Sequence, residues 1–399
     1  MKVTIKPGTA RGEITAPPSK SAAHRALICG ALSEGSTVHG VSDSDDMRAT
    51  LSCLDALGAK VSRGGDSVRI GGLDPLNIGD CTLYCGESGS TLRFLLPLCL
   101  ISGAKISLRG TEKLISRPLD VYEKLCRERG FLYEAGKDCV TVSGRLAPGV
   151  YDVSMSKSSQ FTTGLLFALS TLDGESRIDV AGKAESTSYV DLTLSVMRDF
   201  GARVSKIEGG YSVSGNTLYR SLSYDVEGDR SNAAFLSALN FFGGNVGVKG
   251  LSPVSVQGDR IYPELFEKIQ KGERVDVSDC PDLAPILFAL GAYRGSARIT
   301  GTSRLRYKES DRAEAMKREL SAFGIETEVR EDEVVISGEL HAPHRILSSH
   351  NDHRVAMALA VLCTVTGGEI DGAEAVAKSY PDFYKDIIKL GIEVGYSGS

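Results

Sequence analysis

The residues best suited to chemistry lie in short polar stretches that each precede an apolar run. The densest is Tyr307-Lys308-Glu309-Ser310-Asp311-Arg312. A helix beginning there places Lys308 and Arg312 on one face, four residues apart. Glu309 sits beside both, where two cations would hold it ionised or let it exchange a proton. Runs of charge are usually solvated faces, and this run also fits that reading. Near the N-terminus, Lys20, Ser21 and Arg25 combine a cation, a hydroxyl able to cap a helix, and a second cation one turn on. The set suits a phosphoester, and equally a solvated helix start. In Ser88-Gly89-Ser90-Thr91-Leu92-Arg93, Gly89 lets a ligand approach the backbone, and Arg93 can clamp a carboxylate or phosphate with two parallel N–H groups.

Further stretches follow the same plan. Ser158, Ser159 and Gln160 offer two hydroxyls and an amide at a helix start, suited to a polyhydroxylated ring and its phosphate, or to a cap alone. Pro118 is placed to begin a helix at its first position, with Arg117 before it as a surface residue. Asp352 is a credible cap for Val355-Ala356-Met357-Ala358-Leu359-Ala360, and Arg354 faces the same kind of anion. Lys378 lies in a loop before a helix, either exposed or an ammonium acid whose pKa neighbouring Arg residues lower. His350 and His353 lack a third ligand at recognisable spacing, and Cys81 and Cys85 read as packed thiols, so no metal site is expected. No phosphate-binding G-x-x-x-x-G-K-[ST] loop occurs, nor a G-x-G-x-x-G after a strand.

The elements that must hold these groups recur. A Ser/Gly/Asp opening, an Ala/Leu-rich helix, a β-branched strand and a second amphipathic helix appear six times. The openings stand at Pro18, Gly86, Ser156, Gly228, Ser278 and His350, a period of about 50–70 residues that points to a repeat architecture. Each helix start offers free N–H groups and partial positive charge to an anion. Mixed strands and helices give an α/β (α+β) class, and 399 residues suit two domains of three units each. A net charge of −5 argues against nucleic acid, so any anion must be held by a local cationic pocket. Nine scattered Cys read as reduced thiols of a cytoplasmic protein. Met1–Pro7 has no apolar core of a signal peptide, and no apolar run reaches membrane-spanning length, so neither export nor a membrane is expected.

Taken in order, the motifs resemble the enolpyruvyl transferase family, and within it the EPSP synthase group. They are Pro17-Pro18-Ser19-Lys20-Ser21, Gly89-Ser90-Thr91-Leu92-Arg93, Ser116-Arg117-Pro118, Ser158-Ser159-Gln160-Phe161, Val226-Glu227-Gly228-Asp229, Lys308-Glu309-Ser310-Asp311-Arg312, Asn351-Asp352-His353-Arg354 and Ala377-Lys378-Ser379-Tyr380-Pro381-Asp382. The resemblance implies two domains, each of three βαβαββ units (an inverse α/β barrel), closing on an active site in the cleft between them. It places one domain at 1–18 plus 229–399 and the other at 19–228, with hinge crossings near 18–20 and 227–229. The implied reaction transfers the enolpyruvyl group of phosphoenolpyruvate to the 5-hydroxyl of shikimate 3-phosphate, on the way to chorismate and the aromatic amino acids. The implied protein is a monomer without cofactor or metal, and a target of the inhibitor glyphosate, which occupies the phosphoenolpyruvate pocket.

By the same resemblance, shikimate 3-phosphate is held by Lys20, Ser21, Arg25, Ser158, Ser159, Gln160, Ser186, Tyr189, Asp282 and Lys308. Phosphoenolpyruvate is held by Lys20, Gly89, Arg93, Arg117, Gln160, Arg312, Arg354 and Lys378. Asp282 and Glu309 are the implied proton-transfer pair, with Lys378 or Lys20 as acid. Arg304, Glu87 and Phe94 depart from residues frequent in the family, which are Asn, Asn and Pro. The alternative is a UDP-N-acetylglucosamine enolpyruvyl transferase. That group carries a Cys a few residues before its Arg-Pro, and Gly110 to Pro118 contains none.

Overall fold

The computed structural model describes residues 1–182 and 186–397. The chain forms two compact units, Met1–Pro17 with Gly228–Ser399, and Pro18–Glu227.

The unit Pro18–Glu227 repeats one pattern. Strand Cys81–Tyr84 leads through helix Gly89–Cys99 to Ile106–Arg109, which pairs with it in parallel. A helical crossover is what a parallel pair requires. Helix Asp120–Arg129 follows, and the antiparallel hairpin Leu132–Ala135 and Cys139–Ser143 completes a four-stranded sheet. Strands Val150–Ser154, Glu175–Ala181, Val204–Ile207 and Gly210–Ser214, with helices Gln160–Thr171 and Thr187–Asp199, repeat the arrangement. In the remaining repeat the leading strand comes from the far end of the unit: Ser223–Asp225 pairs in parallel with Ser36–His39. Helix Lys20–Ala31 precedes Ser36–His39, and helix Asp45–Ala56 with strands Lys60–Gly64 and Ser67–Gly71 follows it.

The other unit uses the same parts. Val275–Asp276, Ser296–Thr300, Ile325–Val329 and Glu333–Gly338 form one four-stranded sheet around helices Ala284–Arg294 and Arg312–Ser321. Leu347–Ser348, Gly368–Asp371 and Val394–Ser397 form another, completed by the N-terminal strand Lys2–Ile5. The third repeat keeps two strands, Arg11–Thr15 parallel to Asn245–Lys249. Its second helix, Tyr262–Lys271, runs almost directly into strand Val275–Asp276, leaving no chain for a hairpin.

The opening helices are apolar nearly all round and therefore form the cores of their units. Every residue of His353–Thr366 from His353 to Thr364 is buried, and so is Ala284–Ala292. Polar side chains collect at the N-terminal ends, where caps fix the first turn. Ser88 Oγ accepts from Thr91 N–H at 3.2 Å, and Asp229 accepts from Asn232 N–H at 2.8 Å. The first helix is capped by Ser19, accepting from Ala22 N–H at 3.3 Å, and not by Ser21, which lies inside the helix. Pro118 does not open a helix either; Asp120–Arg129 begins two residues later.

Helices Gly89–Cys99 and Gln160–Thr171 touch at Gly164. A Cβ there would stand 2.3 Å from the Arg93 carbonyl oxygen and 2.5 Å from the Tyr122 hydroxyl. Pro97, inside the first helix, has no N–H to give to the Arg93 carbonyl. The Tyr122 hydroxyl donates to that carbonyl instead, at 2.6 Å. Gly164→Ala must displace backbone and break this bond. It is expected to destabilise the unit by about 3 kcal/mol, the upper end for overpacking. Urea denaturation checks this, and a loss below about 1 kcal/mol would show that the helices separate easily.

Among the described residues, no helix is long and apolar enough to cross a membrane, and no group of three His, Cys, Asp or Glu is placed to hold a metal ion.

Candidate active site

In the unit Gly228–Ser399 the candidates gather on Arg312. Asp311 caps helix Arg312–Ser321, accepting from Glu314 N–H at 3.3 Å. The helix thus starts at Arg312, and Lys308 lies before it in extended backbone after the turn Ser303–Tyr307. The sequence-based expectation of Lys308 and Arg312 on one helical face is therefore corrected. The two meet through a carboxylate instead. Asp282 Oδ1 lies 3.2 Å from Lys308 Nζ and 2.8 Å from Arg312 Nη1. Asp282 Oδ2 lies 3.6 Å from Arg354 Nη2. Arg312 gives its other N–H groups to Glu309 Oε2 at 2.8 Å and Asp352 Oδ2 at 2.9 Å. Arg312 is 1% exposed and Asp352 0%, whereas Asp282 and Glu309 keep 20% and 19%. The buried pair is a frame, and the two outer carboxylates remain reachable.

Burial alone would raise the Asp282 carboxyl, but Lys308, Arg312 and Arg354 outweigh it and hold it well below the ordinary range. Burial lowers the Lys308 ammonium, against the pull of Asp282. Burial would also lower Arg312, yet Asp352, Glu309 and Asp282 raise it well above its usual value. Lys378 is buried and donates to the Asn351 carbonyl at 2.5 Å, so the exposed-loop reading of this lysine is corrected. Arg304, one of the departures, is buried and donates to the Ser278 carbonyl at 2.6 Å.

Asp259 behaves differently. Burial, then the charge of Asp282, pushes its carboxyl up to about 7, against a hydrogen bond from Ser231 and the charge of Arg354. A carboxyl with a raised folded pKa binds its proton better in the folded state. That contribution is complete below about pH 4 and is lost as pH rises towards 7. Asp259→Asn removes it. The stability of the variant relative to wild type is expected to increase between pH 4.5 and 7.5, measured by urea denaturation. A difference constant with pH would contradict the assignment.

The unit Pro18–Glu227 holds a second set. Lys20 Nζ pairs with Asp46 Oδ2 at 2.8 Å. Arg25 is buried and donates to Thr193 Oγ1, the Ser21 carbonyl and the Tyr189 carbonyl at 2.7, 2.7 and 2.9 Å. Burial pushes its guanidinium down to about 10, with Tyr189 opposing. The Phe94 ring lies 5.1 Å from Arg25 Cζ, which gives this second departure a packing role. Burial, then Lys20 and Arg25, hold the His24 imidazole well below its usual pKa. His24, Thr50, Thr91 and Ser88 form a buried chain of hydrogen bonds of 2.7–2.8 Å between the first two opening helices. Arg93 donates to Gln160 Oε1 at 2.8 Å and to the Pro118 carbonyl at 3.0 Å. Gln160 donates to Ser90 Oγ at 3.0 Å, and its N–H to Ser158 Oγ at 3.2 Å. The Arg117 guanidinium packs on Gly89, where a Cβ would come within 2.8 Å of Nη1. Ser159 is buried, and Ser186 is buried with a left-handed φ of 53° at the start of helix Thr187–Asp199.

A sequence model described as EPSP synthase (3-phosphoshikimate 1-carboxyvinyltransferase) matches residues 5–387. The chain belongs to the EPSP synthase family. It is 39% identical, over 416 aligned positions, to the 3-phosphoshikimate 1-carboxyvinyltransferase of Clostridium kluyveri, covering 98% of both chains. It is 37% identical to the enzyme of the same name from Clostridium novyi, over 98% of this chain and 97% of that one. Among solved structures it resembles an EPSP synthase from Acinetobacter baumannii, with a TM-score of 0.78, 25% identity and coverage of 99% and 100%. The two-domain enolpyruvyl transferase fold expected from the motifs is the fold this chain adopts. The sugar-nucleotide alternative is not favoured.

Within each unit the family motifs converge. Lys308, Glu309, Arg312, Arg354 and Asp282 share one ion-pair network, and Arg93, Gln160 and Ser158 share one hydrogen-bond cluster. The counterions were missed. Asp352 caps its helix, as its sequence position suggests, and also carries Arg312. Asp46 had no assigned role, though it holds Lys20; its place in the first turn of a helix was the available signal.

Proposed function

We propose that this protein transfers the enolpyruvyl group of phosphoenolpyruvate to the 5-hydroxyl of shikimate 3-phosphate, releasing phosphate. A proton adds to the methylene carbon of phosphoenolpyruvate as the 5-hydroxyl oxygen bonds to the adjacent carbon and loses its own proton. The tetrahedral adduct then breaks its carbon–oxygen bond to phosphate, and the methyl group returns a proton to restore the double bond. Atoms and charge balance without a redox partner.

The observation that carries this reading is the pair of accessible carboxylates, Asp282 and Glu309, fixed on Arg312 beside Lys308 and Arg354. A cationic frame suits anionic substrates, and a carboxylate held at a fixed position suits both proton transfer and developing positive charge. Asp282 faces the 5-hydroxyl and Glu309 the methylene carbon. Arg312, Arg354, Lys378, Arg93, Arg117 and Lys20 bind the carboxylate and phosphate of phosphoenolpyruvate. Arg25, Ser158, Ser159, Gln160, Ser186, Tyr189 and Lys308 bind the shikimate ring and its phosphate. Nine free cysteines support work in the reducing cytoplasm.

The test is phosphate release from phosphoenolpyruvate with shikimate 3-phosphate or UDP-N-acetylglucosamine as acceptor. Release with shikimate 3-phosphate alone is expected. Release with the nucleotide sugar alone, or with neither from folded protein, would overturn the reading.

A further inference from the structure

Lys378, Arg312 and Arg354 meet at a short turn whose first two residues, Ser349 and His350, lie outside the motifs. Ser349-His350-Asn351-Asp352 closes with Asp352 N–H donating to the Ser349 carbonyl at 2.9 Å. Both central residues have positive φ, 51° at His350 and 54° at Asn351. Side chains rarely adopt this conformation, though His and Asn tolerate it best. Such a turn persists only where its surroundings over-determine it. Its products are the Asn351 carbonyl, which accepts from Lys378, and the Asp352 carboxylate, which accepts from Arg312, Ser310 and the Arg354 N–H.

The over-determining group is Glu319. Its carboxylate is 1% exposed, two turns along the helix that begins at Arg312. Glu319 Oε1 lies 2.7 Å from His350 Nε2, and Oε2 accepts from Ser348 N–H at 3.0 Å and Arg345 Nη1 at 2.7 Å. Burial would raise this carboxyl, but His350, Arg345 and the Ser348 N–H outweigh it and lower it. One helix therefore grips the turn twice, through Arg312 on Asp352 and through Glu319 on His350.

We propose that Glu319 and His350 are positioning residues for the phosphoenolpyruvate half of the site: by clamping the 349–352 turn they set where the Lys378 ammonium and the Arg354 guanidinium stand. The kinetic part of this inference rests on the function proposed above; the structural part does not.

Wild type, His350→Leu and His350→Gln are compared, with thermal melts confirming that each is folded. The Gln amide still offers Glu319 a donor. His350→Leu is expected to raise KM for phosphoenolpyruvate by about 10-fold, because loosened anchors misplace the binding groups. KM for shikimate 3-phosphate stays within twofold, and His350→Gln recovers most of the loss. A second readout needs no turnover: labelling of Lys378 by acetic anhydride, followed by mass spectrometry, is expected to run at least about fivefold faster in His350→Leu and near the wild-type rate in His350→Gln. Equal changes in both KM values, or no recovery in His350→Gln, would reduce the pair to general stability and overturn the inference. An unchanged labelling rate would overturn it even if wild type fails to turn over these substrates, an outcome that by itself counts only against the proposed function.

Discussion

Replacing Arg312 with methionine is expected to destabilise its unit by about 3–5 kcal/mol, the usual cost of removing one partner from a buried ion pair. The guanidinium is 1% exposed and serves three carboxylates, Asp352, Asp282 and Glu309, at 2.8–2.9 Å. Asp352 is the costliest to orphan. It is fully buried, and without Arg312 its carboxylate is left with the Ser310 hydroxyl, the Arg354 N–H and the His353 ring 4.0 Å away. Arg312→Lys is not expected to rescue, since one ammonium cannot meet three separated carboxylates as a planar fork does. The pH dependence gives a second check. In wild type Asp282 has a depressed folded pKa, so its stabilisation is present above about pH 4 and is lost as pH falls through the folded value. In the variant, protonation relieves the orphaned carboxylates. The stability gap between the two proteins should therefore narrow from pH 7 towards pH 4, measured by urea denaturation. A gap below about 1 kcal/mol at pH 7 would show that Asp352 finds another partner, and the buried-frame account would fail.

That frame also shows what a sequence can and cannot carry. Caps and openings were legible because they are local: Asp352, Ser88 and Asp229 each satisfy an N–H two or three residues ahead. The family motifs were legible for the same reason, each being a short run. The partners were not. Asp282 lies 26 residues from Lys308 and 30 from Arg312, and nothing in that separation says one carboxylate serves both. Helical spacing predicted the Lys308–Arg312 proximity for the wrong reason, because Asp311 takes the cap and the helix starts after Lys308. The cap of the first helix falls two residues before Ser21, on Ser19, which accepts from Ala22 N–H at 3.3 Å. The clamp on His350 was illegible for a deeper reason. It depends on two consecutive left-handed residues, and no period in the sequence announces those.

Glu309→Gln is expected to lower kcat by about 10²–10⁴-fold, the range for losing a positioned general acid or base, while changing stability by less than about 1 kcal/mol. The contrast with Arg312 follows from geometry. Glu309 is 19% exposed and gives Arg312 one oxygen at 2.8 Å, and the Gln carbonyl can still accept that bond. The frame survives and only the ionisable group is lost. KM for each substrate should stay within about threefold, because a group that acts on the moving proton contributes mainly in the transition state. An isotope measurement separates this from a subtler structural effect. Protonation makes the methylene carbon a methyl group whose three hydrogens are equivalent, so reversal in heavy water must place deuterium in phosphoenolpyruvate. If Glu309 carries that proton, the variant loses exchange in step with turnover. If exchange persists while phosphate release falls, Glu309 acts after the adduct forms, and the first proton must come from a neighbour, with Lys378 or Lys20 the candidates. A kcat within about fivefold of wild type would leave Glu309 as no more than a brace for Arg312.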